Sequence, residues 1–419
     1  MKILVYPHDM AIGGSQINAV DLAAAVRDLG HEVLVFGQPG PLVDMVHALG
    51  LEFIASPPIH HRPTPSVVRS LRGLIEARGI DVLHGYEWPP ALECLLAARR
   101  RSGSVAVATV MSMAVAPFLP KSVPLMVGTG QIADAERRAG RSLVRLLEPP
   151  VDIEKNAPGL EVGQERFRTR WGLDPQARTV AVVSRLAHEM KLEGILAAMD
   201  AVRLLDATVP VHLVVAGDGP AREAVRRRAE ETNRATGRNT VVLTGELVDP
   251  RPAYAVADVA LGMGGSALRA MAFGKPLVVQ GEQGFWELLT PQSLDTFLWQ
   301  GWYGAGPDAE GGSRRLAGIL LPLLHDAASR DSLGDFARRT VAGRYSLAAA
   351  GRAQQDFYVE ALRHRPGVRM RTTAGLASAG RFAAYGTGRF AARVAGRLVR
   401  DDFNAAPLAA RPVPSGNAS

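Results

Sequence analysis

The sequence predicts an α/β protein of two Rossmann-like, doubly wound parallel-sheet domains. Three observations carry that prediction. Short apolar runs alternate with helical stretches in two successive sets, a proline-rich stretch separates the sets, and several strand ends run through glycine into a helix. A chain of 419 residues, 47% hydrophobic and 21% charged, is long enough for two such cores.

In the first set, "KILVYP" reads as a strand, "GGSQINAVDLAAAVRDLG" as a glycine-opened helix and "HEVLVFG" as the second strand. "PLVDMVHALG" is a helix, "LEFIAS" a strand, "SVVRSLRGLIEARG" a helix and "IDVLHG" a strand, followed by the helix "PPALECLLAARRR" and the strand "SVAVATVMSM". The linker "LLEPPVDIEKNAPG" separates it from a second set: "TVAVVSRL", "LEGILAAMDAVRLL", "VHLVVAGDG", "AREAVRRRAEETNRATG", "NTVVLTG", "DVALGMG" and "KPLVVQG". The stretch from Gly312 to about Leu362 reads as helical, with "LAGILLPLLHDAA" broken at Pro322, and the remainder as irregular. These bounds give domains over 1–150 and 151–345, a closing helix over 346–365, and a basic, flexible tail over 366–419. Two sheets of this kind are expected to face each other across an interdomain cleft lined by the carboxyl ends of strands.

Charge is unevenly placed. The net charge is +7, yet the segment from Arg363 to Ser419 holds ten arginines and two aspartates, which leaves the body nearly neutral. That argues against a nucleic-acid-binding body. The lone Cys94 excludes an internal disulfide and reads as a small buried hydrophobe. No apolar run is long enough to span a bilayer, and "MKILVYPHDM" reads as a strand rather than a signal peptide, so the expected location is cytoplasmic.

Three features converge on a diphosphate. "GGSQ", Gly13 to Gln16, places glycines at a helix start, where backbone can approach an anion, although a tight turn alone also needs glycine. "SRLAHEMKLEG" sets Arg185 and Lys191 in a loop after a strand, where they neutralise a leaving phosphate or are simply solvated. "GMGGSALRAMAFGKPLVV" offers the free N–H groups of Gly264, Gly265 and Ser266 at a helix N-terminus, with Arg269 close behind.

In their order, "GGSQ", "VSRLAHEMKLEG", "VVAGDGPARE", "ADVALGMGGSALRAMAFGKPLVV" and "GFWELL" resemble the retaining glycosyltransferases of family four, which have the GT-B fold. The likeness covers about residues 1 to 362. It implies transfer of a sugar from a nucleotide-diphosphate donor to a hydroxyl acceptor, with retention of configuration and without a metal or other cofactor. It makes the N-terminal domain acceptor-binding and the C-terminal domain donor-binding. Carried over, Arg185 and Lys191 fall on the catalytic cations at the diphosphate, with spacing one residue longer than usual. Gly13, Gly14 and Gly217 fall on donor-side loops, and Glu287 on a glutamate at the pocket rim.

The departures lie in the donor motif. The family has two glutamates there, and this chain has Leu261 and Arg269 in their places. A guanidinium donates five hydrogen bonds and accepts none, so it cannot serve as acceptor for ribose hydroxyls. Either the donor is unusual, or Arg269 is paired with a carboxylate such as Glu282 or Glu287, or turnover is lost and the chain is a non-catalytic, regulatory homologue. The family's histidine after the fourth strand is absent from "ATVMSMAVAP", where Ser112 is left as a candidate sugar contact. On the acceptor side, "VLHGYEWPP" offers His84, Glu87 and Trp88, the ring as a stacking platform for a small or lipid-linked acceptor. Glu282 and Glu287 as a hydrolytic carboxylate pair are rejected because they sit on the donor side. "FLWQGWYGAG" either packs the C-terminal helices or lines the pocket. In the tail, Arg389, Arg393, Arg397 and Arg400 recur at helical spacing beside Phe390, Val394 and Leu398, compatible with peripheral contact with an anionic membrane, though four glycines favour a solvated, disordered extension.

Overall fold

The computed structural model describes residues 1–98, 103–364, 368–396 and 408. The chain forms two compact units, Met1–Pro149 with Leu347–Ser419, and Pro150–Ser346.

The first unit runs β1 (Lys2–Tyr6), α1 (Gly14–Asp28), β2 (Glu32–Gly37), α2 (Val43–Ala48), β3 (Glu52–Ala55), α3 (Pro65–Arg78), β4 (Val82–Tyr86), α4 (Trp88–Ala97), β5 (Val105–Val110), β6 (Leu125–Val127), α5 (Gly130–Arg138) and β7 (Val144–Leu146). All seven strands are parallel, in the order β3-β2-β1-β4-β5-β6-β7. The central strands are buried on both faces, which is why they read as unbroken apolar runs rather than as alternating ones. Strand order reverses between β1 and β4, so the crevice beyond their carboxyl ends is the switch point where such sheets bind ligands. The strands β6 and β7, and α5 between them, are absent from the sequence reading; three residues per strand is too short for a period to register.

The second unit runs α6 (Gln164–Trp171), β8 (Arg178–Val183), α7 (Leu192–Leu205), β9 (Val211–Ala216), α8 (Arg222–Thr236), β10 (Val241–Gly245), α9 (Arg251–Val256), β11 (Val259–Gly262), α10 (Gly265–Ala272), β12 (Leu277–Gln280), β13 (Trp286–Leu288), α11 (Leu294–Gln300), α12 (Gly312–His325) and α13 (Ala327–Arg344). Its strand order is β10-β9-β8-β11-β12-β13, parallel except for β13, which returns antiparallel along β12. The switch point here lies between β8 and β11. Successive residues of β8 face opposite cores: Val180 and Val182 pack with Ile195 and Met199 of α7 and Leu316 and Leu320 of α12, Ala181 with Phe167 of α6. The expected break at Pro322 does not occur; α12 runs through it, held by Leu320, Leu323 and Leu324 in that core.

The chain then returns to the first unit as α14 (Leu347–Arg363), followed by α15 (Val368–Val394). Phe357, Tyr358 and Ala361 of α14 are buried among α1 residues, and a Cβ on Gly351 would stand 2.9 Å from that of Ala25, so α14 is a core helix of this unit. The expectation of an irregular tail is corrected by α15. Its alanines offset the glycines, and Phe382 and Tyr385 find packing partners in Trp88 and Phe118, which propensity alone does not reveal. Arg397, Arg400 and Leu398 lie outside the described residues, as does "APLAARPVPSGNAS" apart from Leu408.

Candidate functional site

In the second unit, β8 ends at Val183 and the chain loops through Arg185 to Lys191, the N-cap of α7. The loop is shaped by close backbone contact with the turn after β9. Leu186 N–H donates to the Asp218 carbonyl at 2.9 Å, and Ala221 N–H to the Leu186 carbonyl at 2.8 Å. Gly217 makes this approach possible: its φ is +148°, and a Cβ there would lie 1.9 Å from the Ser184 carbonyl oxygen. The Arg185 side chain is exposed and makes no hydrogen bond or ion pair among the described residues. Lys191 is half-buried, and burial pushes its ammonium down to about 8, with Glu282 pulling the other way.

Two carboxylates cross-tie this loop to the turn after β12. Glu282 accepts from Met190 N–H at 3.1 Å and Tyr303 O–H at 2.6 Å. Reciprocally, Glu193 in the first turn of α7 accepts from Gln283 N–H at 3.1 Å and Gly284 N–H at 2.6 Å. Gln280 adds a third tie, its amide donating to the Lys191 carbonyl at 3.0 Å. Met190 and Gln283 both have positive φ, 62° and 54°, so the ties hold the backbone of both loops in a conformation that side chains disfavour. Glu193, Gln280 and Tyr303 are absent from the sequence reading, because nothing in a linear pattern marks which loops will meet.

Beside this loop, across the switch point, β11 leads into α10. Gly264 caps the helix at φ 53°, ψ −132°, and its N–H donates to the Trp302 carbonyl at 2.9 Å. A Cβ on Gly265 would meet nothing within 4 Å, so the space above the helix start is open. The Ser266 hydroxyl is turned inward, donating to the Met263 carbonyl at 2.9 Å. Arg269, half-buried, makes no ion pair among the described residues, and Glu282 is engaged elsewhere, so of the alternatives left open by the sequence the pairing of Arg269 with Glu282 or Glu287 is not formed. Its charge acts instead on Tyr254, whose hydroxyl is buried without a hydrogen-bond partner. Glu287 lies half-buried on β13, opposite Val279. In the "FLWQGWYGAG" stretch Phe297 and Trp302 are core, stacked at 5.5 Å with Trp302 edge-on to Tyr345, while Trp299 is exposed.

In the first unit, Gly13 caps α1 and Gly14 opens it, with clear space where a Gly14 Cβ would stand. Around this turn His8, Asp9, Gln16 and Glu87 converge at the switch point. Gln16 donates to Asp9 at 2.8 Å, and His8 lies 3.2 Å from the Asp9 carboxylate. Burial pushes the His8 imidazole down, but the Asp9 hydrogen bond and the Glu87 and Asp9 charges outweigh it and leave the ring above its ordinary value.

Four acceptor-side expectations, His84, Glu87, Ser112 and Trp88, are corrected here. His84 has no exposed surface, and both ring nitrogens are engaged, Nδ1 with the Tyr358 hydroxyl at 2.6 Å and Nε2 with Thr109 at 2.7 Å. Burial holds it down to about 3, so it is a neutral core histidine closed to ligands. Glu87 is 7% exposed, at φ 66°, and accepts from Ser15 at 3.1 Å, Met111 N–H at 2.9 Å, and Ser112 N–H and O–H at 3.1 and 2.8 Å. That one carboxylate ties the starts of α1 and α4 to the loop after β5, and Ser112 is spent on it. Trp88 is a packing ring, 5.0 Å from Phe118 and 6.0 Å from Tyr385 of α15, rather than an open platform.

Among the described residues no group of three or more His, Cys, Asp or Glu side chains is placed to hold a metal ion, and no helix is long and apolar enough to cross a membrane.

Two family models match the sequence and together span more than half of it: "Glycosyltransferase Family 4" over residues 12–141 and "Glycosyl transferases group 1" over residues 177–300. Among curated proteins none matches. Solved structures similar to this one include a glycosyltransferase from Rickettsia africae, at 15% identity and TM-score 0.68 over 87% of this chain and 99% of that one. HepE of Anabaena, solved with UDP-glucose, aligns at 16% identity and TM-score 0.67 over 87% of this chain and 99% of its own. WaaG, a glycosyltransferase of lipopolysaccharide biosynthesis, aligns at 14% identity and TM-score 0.56 over 85% and 99%. At these identities the likeness is one of fold, and that fold is GT-B.

Proposed function

The chain belongs to the group 1 glycosyltransferases, and from that premise we propose that it moves a sugar from a nucleotide-diphosphate donor, with retention and without a bound metal, using the β8–β11 switch point of the second unit as the donor site. The observation that carries this reading is the presence, on one loop, of an exposed, unpartnered Arg185 and a half-buried Lys191 whose ammonium burial lowers to about 8. Departure of the leaving group builds negative charge on a phosphate oxygen. Cations held in place beforehand stabilise that charge without reorganising. The open N-terminus of α10 adds a dipole of the same sign. Arg185 and Lys191 are the catalytic pair, with Gly265 leaving the start of α10 open to the diphosphate, Gly264 shaping the turn into that helix and Gly217 letting the Arg185 loop close against the turn after β9. Glu287 borders the sugar.

Arg269 points to a donor other than an ordinary one, since it leaves no carboxylate at that position of α10 to accept from a ribose. HepE was solved with UDP-glucose, which makes UDP-sugars the first donors to titrate. Calorimetric titration with UDP-, GDP- and dTDP-sugars is expected to show one saturable donor, with binding lost in Lys191→Ala. Saturable binding that survives Lys191→Ala places the diphosphate elsewhere and sinks the assignment.

A further inference from the structure

Helix α15 carries apolar side chains on two opposite faces. A surface helix ordinarily turns its apolar stripe to the core and its polar face to water. In α15 the inward face carries Ser378, Phe382 and Tyr385, with Ser378 hydrogen-bonded to the Phe118 carbonyl and the two rings on Trp88 and Phe118. The opposite face is apolar as well. Leu376, Phe390 and Val394 recur at helical spacing on it and are 76%, 71% and 74% exposed. The positions between them on that face are Ala383 and Thr387, so the apolar stripe is unbroken by charge.

The charged residues of α15 are all of one sign. Its 27 residues include arginines at 369, 371, 381, 389 and 393 and no acidic residue. Arg381 is held near the unit by donating to the Pro117 carbonyl at 3.1 Å, and Arg389 by lying 5.6 Å over the Tyr385 ring. The basicity continues in sequence, ten arginines against two aspartates from Arg363 to Ser419.

We propose that the outward face of α15 docks the protein on an anionic phospholipid surface, with Leu376, Phe390 and Val394 entering the headgroup boundary and the positive charge of this arginine-rich, acid-free segment drawing it to lipid phosphates. Three alternatives fit less well. A second copy of the same helix would bring arginine rows against each other with no acidic partner. Nucleic acid meets the charge but leaves the apolar stripe uncovered. Spanning the bilayer is excluded for this helix, which is not apolar enough to cross. A helix lying in the interface satisfies both the stripe and the charge, and Arg and apolar contacts each contribute to binding there.

The test uses the whole chain and vesicles of phosphatidylcholine, alone or mixed with phosphatidylglycerol, in a flotation assay. The protein is expected to float with the mixed vesicles, not with phosphatidylcholine alone, and to release at high salt. The double variant Leu376→Glu and Phe390→Glu changes only outward residues, so its thermal melt should match wild type while its vesicle partitioning falls by about tenfold or more. Equal flotation of the double variant overturns the proposal, as does the absence of any preference for the anionic vesicles. A wild-type dimer that the double variant dissociates, without vesicle binding, assigns the face to a second copy instead. Retention by duplex DNA in place of vesicles assigns it to nucleic acid.

Discussion

Lys191 is where burial and chemistry meet most directly. Its ammonium, lowered to about 8, is charged at neutral pH and begins to neutralise just above it. Donor affinity measured by calorimetry should therefore fall as pH rises through about 8, and Lys191→Arg should flatten that dependence, because a guanidinium stays charged throughout. The stability effect has the opposite slope. Between about 8 and 10.5 the unfolded chain holds a proton that the folded chain has released, so Lys191 makes stability rise with pH in that window. Gly217 is the second decisive residue. Alanine there faces both φ +148° and a carbonyl oxygen 1.9 Å from its Cβ, so Gly217→Ala should cost roughly 2–4 kcal/mol in urea denaturation and displace Arg185 with it. At this scale the sequence was legible for the residue types but not for their engagements. Glycines and cations announce themselves by spacing; that Glu87 is saturated by Ser15, Met111 and Ser112, or that His84 is sealed behind Tyr358, depends on partners far away in the chain.

Among the elements, α14 shows how a helix from the end of the chain completes a sheet from its beginning. Tyr86 O–H donates to Gln354 at 3.1 Å, Gln354 donates to the Tyr358 hydroxyl at 2.7 Å, and Tyr358 meets His84 at 2.6 Å. A neutral His84 accepts at Nδ1 and donates at Nε2 to Thr109, so each link has a donor and an acceptor. Tyr358→Phe should cost about 1–3 kcal/mol by leaving the buried Nδ1 unsatisfied. The same histidine sets an acid limit. The unfolded ring takes a proton near 6.5 and the folded one only near 3, so stability falls as pH drops across that interval, measurable by denaturant midpoint at each pH. The long, uniformly apolar strands and the glycine-opened helices were legible because their periods persist. The strands β6 and β7 were not, since three residues are too few to show a period, and α15 was hidden by its glycines until Trp88 and Phe118 supplied a surface to pack on.

For the whole molecule, the division into units sets what can be removed. A chain ending at Ser346 keeps every strand of both sheets but loses the α14 side chains Gln354, Phe357 and Tyr358 from the first core. Its first unit should fail to fold, with hydrogen exchange protection retained only over 150–346, whereas a chain ending at His364 should protect both units. Protection of both units in the shorter chain would show α14 to be dispensable.

That arrangement has a consequence for synthesis. The first unit begins the chain but is closed by residues from Leu347 onward, so it must wait on the ribosome while everything between is made. At roughly 5–20 residues per second the intervening segment takes on the order of 10–40 s. During that interval the second unit, contiguous from Pro150 to Ser346, is the one that can finish. The part of the protein translated first is thus the last to be completed, and the bare face of α1, waiting for α14, is the surface that a nascent-chain chaperone would have to shield.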